Sequence, residues 1–284
     1  MKWSLSSYSL SRYMKEGQLT QRDCIAEAKS LGFDYIEFAE ILPHDGSTPL
    51  EYAGYLRTAC DRLSMQVSGL AIGAELLCPE GGDVAAEIAR IKGMVDVAHV
   101  LGAKFMRHDA TRGDGRPFAE VLPLLAEACR EIADYAGTLG ITTMVENHGF
   151  FCQDSDRMVA LYQAVNHPSF GLLADMGNFL CADEDPTQAV ARVAPYAVYV
   201  HAKDFHVKSG QGFDPGRGFF QSRGGNYLRG SIVGHGVVDV PACLEIMAKQ
   251  GYDGFVALEF EGLEDPGFAI TTGLEFLKRV CPSS

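Results

Sequence analysis

A chain of 284 residues, 47% hydrophobic and 21% charged, holds enough apolar material for a full core and carries the charge of an ordinary soluble protein. Its net charge of −13 argues against a polyanion binder, because nucleic-acid footprints are basic, so no nucleic-acid partner is expected. The opening Met1-Lys-Trp-Ser-Leu-Ser-Ser-Tyr8 lacks an apolar signal core, and no apolar run approaches the roughly 20 residues that cross a bilayer. The eight cysteines are scattered singly, without a C-x-x-C pair, and predict reduced thiols in a cytoplasmic protein away from membranes.

Short apolar strands alternate with helical patterns along the whole chain. Strands are predicted at Lys2–Ser7, Tyr35–Ala39, Gln66–Ile72, Phe105–His108, Thr142–Glu146, Gly171–Asp175, Ala197–His201 and Phe255–Glu259. Between them, Thr20–Leu31, with Thr20 as N-cap, places Cys24, Ile25, Ala28 and Leu31 at helical spacing. Similar stripes run over Asp83–Leu101, Phe118–Leu139, Met158–Val165 and Val240–Gln250. "LGFDYIEF" and "QGYDGFVALEF" repeat one phrase, in which a helix stops at Gly and a strand follows. Eight strand–helix cycles without a Pro/Gly/Ser linker predict one closed (β/α)8 barrel, an α/β TIM barrel forming a single domain over 1–284. A doubly wound open sheet is the alternative, but no G-x-G-x-x-G follows a strand.

In such a barrel the chemistry lies at the C-terminal strand ends. Those ends read Arg107-His108-Asp109, Glu146-Asn147-His148, Asp175-Met-Gly-Asn178, His201-Ala-Lys203-Asp204 and Glu259-Phe-Glu261. Residues two apart share a face, so Glu146, Asp175, His201 and Glu259 meet if each faces the axis. Three clustered carboxylates with one imidazole make a site for one divalent ion, Mn2+, Mg2+, Co2+ or Zn2+. For any single residue a solvated charge or a pair with Lys203 or Arg107 is the plainer reading; the run of four across consecutive strand tips outweighs it. His148 and Lys203 lie one step outward and are expected to reach substrate oxygens, beside Glu261. Of Arg107 and His108 only one can face inward, and His108 is the expected one. Tyr8, Trp3 and His44 are candidate pocket walls.

At these residues the chain resembles the xylose isomerase-like barrels. The resemblance rests on Glu146 in "MVENHG", Asp175 in "LLADMGN", His201 in "VYVHAKDF" and Glu259 in "ALEFEG", and runs from "SLSSYS" to "LEFEGLED". It implies that these four bind the metal. It also implies that Glu146 and Glu259 move protons on either side of a carbohydrate substrate through a metal-stabilised cis-enediolate. An isomerase or epimerase of a sugar, sugar phosphate or inosose follows. A lyase or dehydratase on a keto-sugar, inosose or keto-glycoside is the alternative, and a non-catalytic sugar-binding barrel is a third. Two positions depart from the family: Cys152 stands where ketose 3-epimerases carry a second glutamate, and Asn178 where several members carry histidine. Asn178 can still bond a sugar hydroxyl. The glycine-rich segment 205–236 is expected as a loop over the barrel mouth, with Arg229 as an anion anchor and His235, in a family-like Gly-x-Gly turn, near substrate. Nothing in the composition decides between a monomer and a homo-oligomer.

Overall fold

The computed structural model describes residues 1–281; residues 282–284, which the expected domain includes, lie outside the described residues. Seven strands come first: β1 (Lys2–Ser6), β2 (Tyr35–Ala39), β3 (Gln66–Ile72), β4 (Phe105–His108), β5 (Thr142–Glu146), β6 (Phe170–Asp175) and β7 (Ala197–Ala202). β8 (Asp204–Lys208), β9 (Phe220–Gln221) and β10 (Tyr227–Ser231) precede β11 (Phe255–Leu258). The first seven and β11 form a closed parallel barrel, in which β1 pairs with β2 on one side and β11 on the other. The predicted strands hold to within one residue at either end. Their near-continuous apolar character follows from burial on both faces, against the interior and against the helix layer.

Six of the outer helices begin with one device, a side-chain oxygen at the N-cap taking a backbone N–H three residues on. Thr48 starts the helix Pro49–Arg62, Asp83 the helix Val84–Leu101, Asp154 the helix Ser155–Val165 and Asp185 the helix Pro186–Val193. Asp239 starts the helix Val240–Lys249 and Asp265 starts the helix Pro266–Val280. Each such cap stabilises its helix by about 1 kcal/mol. The helix predicted from Thr20 begins its regular turns at Asp23, with Thr20 and Asp23 exchanging hydrogen bonds ahead of it. Among the described residues no helix is long and apolar enough to cross a membrane.

The barrel interior is layered. At its floor Met144, Leu173, Tyr199 and Ala257 are fully buried with Phe105 and Phe255 packed against them. Above them a hydroxyl chain joins Ser4 to Ser68 at 2.7 Å and Ser68 to Tyr199 at 2.8 Å. Above that layer the side chains become charged.

The segment 205–236 is not a loop but carries a three-stranded antiparallel sheet, in the order β8-β10-β9. β8 leaves β7 after Lys203, and Asp204 fixes the returning chain. Its carboxylate accepts from the backbone N–H groups of Phe205 (2.8 Å), Gly234 (3.0 Å), Gly236 (2.8 Å) and Val238 (3.0 Å). Gly236 has to be glycine here, since a Cβ would stand 2.1 Å from the Asp204 carboxylate. Composition hid this sheet because its glycines mask the short apolar alternation of the strands.

Candidate metal centre

Four side chains from four strand ends meet at one ring nitrogen. His201 Nδ1 lies 3.6 Å from Glu146 Oε1, 3.7 Å from Asp175 Oδ2 and 3.3 Å from Glu259 Oε2. His201 Nδ1 and Asp175 Oδ2 are buried and lack any hydrogen-bond partner among the described residues. Buried polar atoms are nearly always satisfied, so two orphans facing one point ask for a ligand.

The remaining atoms of these four groups are all tied down. Glu146 Oε2 accepts from Arg107 Nε at 2.6 Å, and its Oε1 also accepts from Asn178 Nδ2 at 3.0 Å. Asp175 Oδ1 accepts the backbone N–H groups of Gly177 (2.8 Å) and Asn178 (2.9 Å). Glu259 Oε1 pairs with Lys203 Nζ at 2.6 Å. His201 Nε2 lies 3.0 and 3.1 Å from the two oxygens of Glu37. Each carboxylate therefore presents one oxygen to the centre while its second is held elsewhere. Glu37 is near enough to share an ion with His201 and Glu259. Its oxygens, however, both address the far ring nitrogen, so Glu37 orients the imidazole and leaves Nδ1 free for a ligand.

The charges agree with this donor set. Glu37, Glu146, Asp175 and Glu259 are buried carboxylates, set against the two buried cations Arg107 and Lys203. Arg107 and Lys203 are shared in addition with Asp109 and Glu261, so the cluster is short of positive charge, as a site suited to a cation is. Burial alone would raise the Glu146 carboxyl, but Arg107 and His201 hold it well below the ordinary carboxylate range. Burial likewise opposes ionisation of Glu259, and Lys203 with His201 overcomes it. Burial would lower His201, yet Glu37 and Glu259 raise it well above the ordinary histidine range, as expected of a cluster short of positive charge. Hard oxygens with one imidazole suit a divalent cation, and the residues present fit one.

A cavity of about 330 Å³ opens above the cluster, lined among others by Tyr8, Glu40, Arg107, Asp109, His148 and Glu261. Of the expected residues, Glu146, Asp175, His201 and Glu259 come together. Lys203 and Glu261 face one another at 3.5 Å beside them. Burial pushes the Glu261 carboxyl up. Asn178 lies against Glu146, and His148 reaches the cavity with Nδ1 at 2.8 Å from Asp109 Oδ1. The plainer pairing of strand-end carboxylates with Lys203 and Arg107 is present in the structure, beside the convergence of the four side chains.

Five expected residues lie outside the cavity. His108 does not line the cavity: it is buried, with Nδ1 at 2.9 Å from the Asp109 carbonyl, and burial lowers its pKa. Arg107 takes the inward position, because β4 pairs with β5 so that Arg107 lies beside Met144, an interior residue. Arg229 faces away from the cavity and pairs with Glu264 at 3.3 Å, because its strand is hydrogen-bonded into the sheet opposite His206. His235 is exposed at the tip of the turn that wraps Asp204, outside the cavity. Tyr8 lines the cavity whereas Trp3 and His44 do not. Glu37, Glu40 and Asp109 were not expected. The signal for Glu37 was available: a lone carboxylate inside the apolar run "YIEFA" must find a partner.

The model of the family described as xylose isomerase-like TIM barrel matches residues 25–280. The rhizopine catabolism protein MocC of Rhizobium meliloti is 28% identical over 204 residues, which cover 66% of this chain and 60% of MocC. The L-ribulose-5-phosphate 3-epimerase UlaE of Escherichia coli is 22% identical over 272 residues, 88% of this chain and 86% of UlaE. Among solved structures, the probable 3-DHS dehydratase AsbF from Bacillus anthracis superposes with a TM-score of 0.74 at 16% identity, covering 98% of this chain and 99% of that one. This last likeness is one of fold.

Proposed function

The chain belongs to the xylose isomerase-like TIM barrel family, and on that premise we propose that it is a divalent-metal-dependent isomerase or epimerase. Its substrate class is a small sugar, sugar phosphate or cyclic polyol ketone. One observation carries this reading: three carboxylate oxygens converge on the unpartnered Nδ1 of His201. Glu146, Asp175, His201 and Glu259 would hold the ion. When bound, a divalent cation supplies Lewis acidity to neighbouring carbonyl and hydroxyl oxygens, which makes an adjacent C–H acidic enough for a carboxylate base.

The chain's own groups divide the remaining work. Glu146, at the end of β5, and Glu259, just after β11, have β6 and β7 between them in the barrel wall, so a carbon held between the two carboxylates can lose a proton to one and regain it from the other. Arg107 and Lys203 fix their outer oxygens and hence their aim. Asn178, His148 and Glu261 offer hydrogen bonds to sugar hydroxyls at the cavity edge. The UlaE likeness, spanning most of both chains, supports epimerase chemistry. Metal content and turnover, measured before and after chelation on a panel of ketoses, inososes and keto-glycosides, test the proposal. Stoichiometric metal and activity restored by metal are expected; turnover indifferent to chelation would overturn it. A Glu146→Gln protein that keeps its metal and full turnover would remove Glu146 from the base role.

A second reading, β-elimination by a lyase or dehydratase, is favoured by one feature. Cys152 is buried away from the cavity with its thiol pushed up to about 12, so no second glutamate follows Glu146 there, while His148 with Asp109 offers a proton donor at the mouth. Turnover in deuterium oxide separates the two. Deuterium washed into an intact skeleton supports isomerisation, and loss of water or of an aglycone supports elimination.

A further inference from the structure

Beside the cavity above the cluster lies a second and larger one of about 530 Å³. The two share His148, Lys203 and Glu261 in their walls, so they adjoin at those side chains. The first is walled by charged groups. In the second, two exposed aromatic rings from separate parts of the chain, Phe150 and Phe220, line the wall.

Both rings are held in place. Phe150 has φ 65°, in the left-handed region that a bulky residue avoids. Gln153 Oε1 accepts its N–H at 2.5 Å and the Arg223 guanidinium donates to its carbonyl, Arg223 itself being anchored on Asp154 at 2.9 Å. The chain thus keeps a strained backbone in order to present a ring that stays 44% exposed. Phe220, on β9, is 37% exposed and is fixed from behind by the buried Phe205, edge to face with centroids 5.8 Å apart.

We propose that this second cavity is a subsite for a ring-bearing substituent of the substrate, an aglycone or second sugar ring, packed against Phe150 and Phe220. Aromatic faces bind the apolar faces of sugars and other rings. Two cations line this cavity, Lys203, already engaged by Glu259 with Glu261 beside it, and the exposed Arg112, so phosphate is the competing ligand that the test has to separate from a neutral ring. The proposal rests on the function above only in placing the reacting sugar in the first cavity. It makes the cap sheet, through β9, a determinant of specificity.

Binding of methyl β-D-glucopyranoside, phenyl β-D-glucopyranoside and cellobiose, followed by ligand-observed NMR on chelated and on metal-loaded protein, tests the subsite apart from the metal chemistry. The phenyl compound, cellobiose or both should bind about tenfold more tightly than the methyl compound, since aromatic contacts contribute up to about 1.5 kcal/mol. Which of the two gains identifies an aryl aglycone or a sugar ring. The gain should disappear in Phe220→Leu and in Phe150→Gly. Phe150→Gly should also melt at the same or a higher temperature, because glycine relieves the left-handed backbone. Equal binding of all three compounds, or a gain that survives both substitutions, would overturn the proposal. So would inorganic phosphate binding more tightly than any of them. A protein that shows the ring preference but binds no metal would retain the subsite and lose the proposed reaction.

Discussion

The floor and the mouth of the barrel are built by the same strands, two residues apart along each, yet they obey opposite rules. At the floor Phe105, Tyr199 and Phe255 pack edge to face or tilted with centroids 5.9–6.2 Å apart, and the hydroxyls present close a chain among themselves. Nothing there is left over. One layer up, every charged side chain has at least one partner, yet among the described residues His201 Nδ1, Asp175 Oδ2 and His108 Nε2 are buried without a hydrogen bond, the first two facing one point. A fold that satisfies its polar groups at one end, and leaves buried polar atoms without hydrogen bonds at the other, has its second end suited to a ligand. Stability belongs to the floor and chemistry to the mouth, as the barrel architecture expects.

The strongest way to break this division is at its pivot. His201→Ala removes the nitrogen on which the three carboxylates converge, and turnover should fall by about 10³-fold or more. The melting temperature should also cease to respond to added metal. In the parent protein, metal at about 1,000 times its Kd should stabilise by roughly 4 kcal/mol. Calorimetric melts with and without chelator check both statements. The next largest effect lies at the floor: Tyr199→Ala should cost about 3–5 kcal/mol of stability in urea unfolding, as for other large core truncations. Were that variant as stable as the parent, the floor would not be the structural half.

How much of this could be read from the sequence follows from the same contrast. Strand-end carboxylates stand out because the bodies of the strands are apolar on both faces, so Glu146, Asp175, His201 and Glu259 were legible. That same two-sided burial erased the parity needed to choose between Arg107 and His108, since neither face of β4 reads as polar. Only the register of Arg107 beside Met144 decides it. Glu37 was missed because it lies in mid-strand between Ile36 and Phe38, where attention to strand ends does not reach. Arg229 and His235 were misplaced because glycine content was read as loop, and a hydrogen-bonded strand aims its side chains differently from a free loop.

Glu37 supplies the next test, smaller because it acts through His201 rather than on the ion. Glu37→Gln keeps the size and one acceptor oxygen but removes the charge that fixes the imidazole. Metal affinity should drop about 10- to 100-fold, the usual effect of losing such a partner. The melting temperature of the metal-free protein should shift by only a few degrees. Isothermal titration of metal into chelated protein measures the first, and unchanged affinity would show that the imidazole is held by packing alone.

The smallest effect comes from the layer between the two halves. Ser68 is the middle of the hydroxyl chain, 2.7 Å from Ser4 and 2.8 Å from Tyr199. Ser68→Ala leaves both neighbours without that partner in a buried layer, which should cost about 1–3 kcal/mol in urea unfolding. Burial raises the Tyr199 hydroxyl well above its ordinary range, so it stays neutral and this loss should not vary between pH 6 and about 9. The Glu37–His201 contact does not pass through Ser68, so metal affinity should stay within about threefold of the parent, a difference below 1 kcal/mol. A Ser68→Ala protein that loses metal binding together with stability would show that the floor also tunes the mouth through Tyr199, whose ring stands edge to face against His201 at 5.9 Å. The two halves of the interior would then be one mechanical unit.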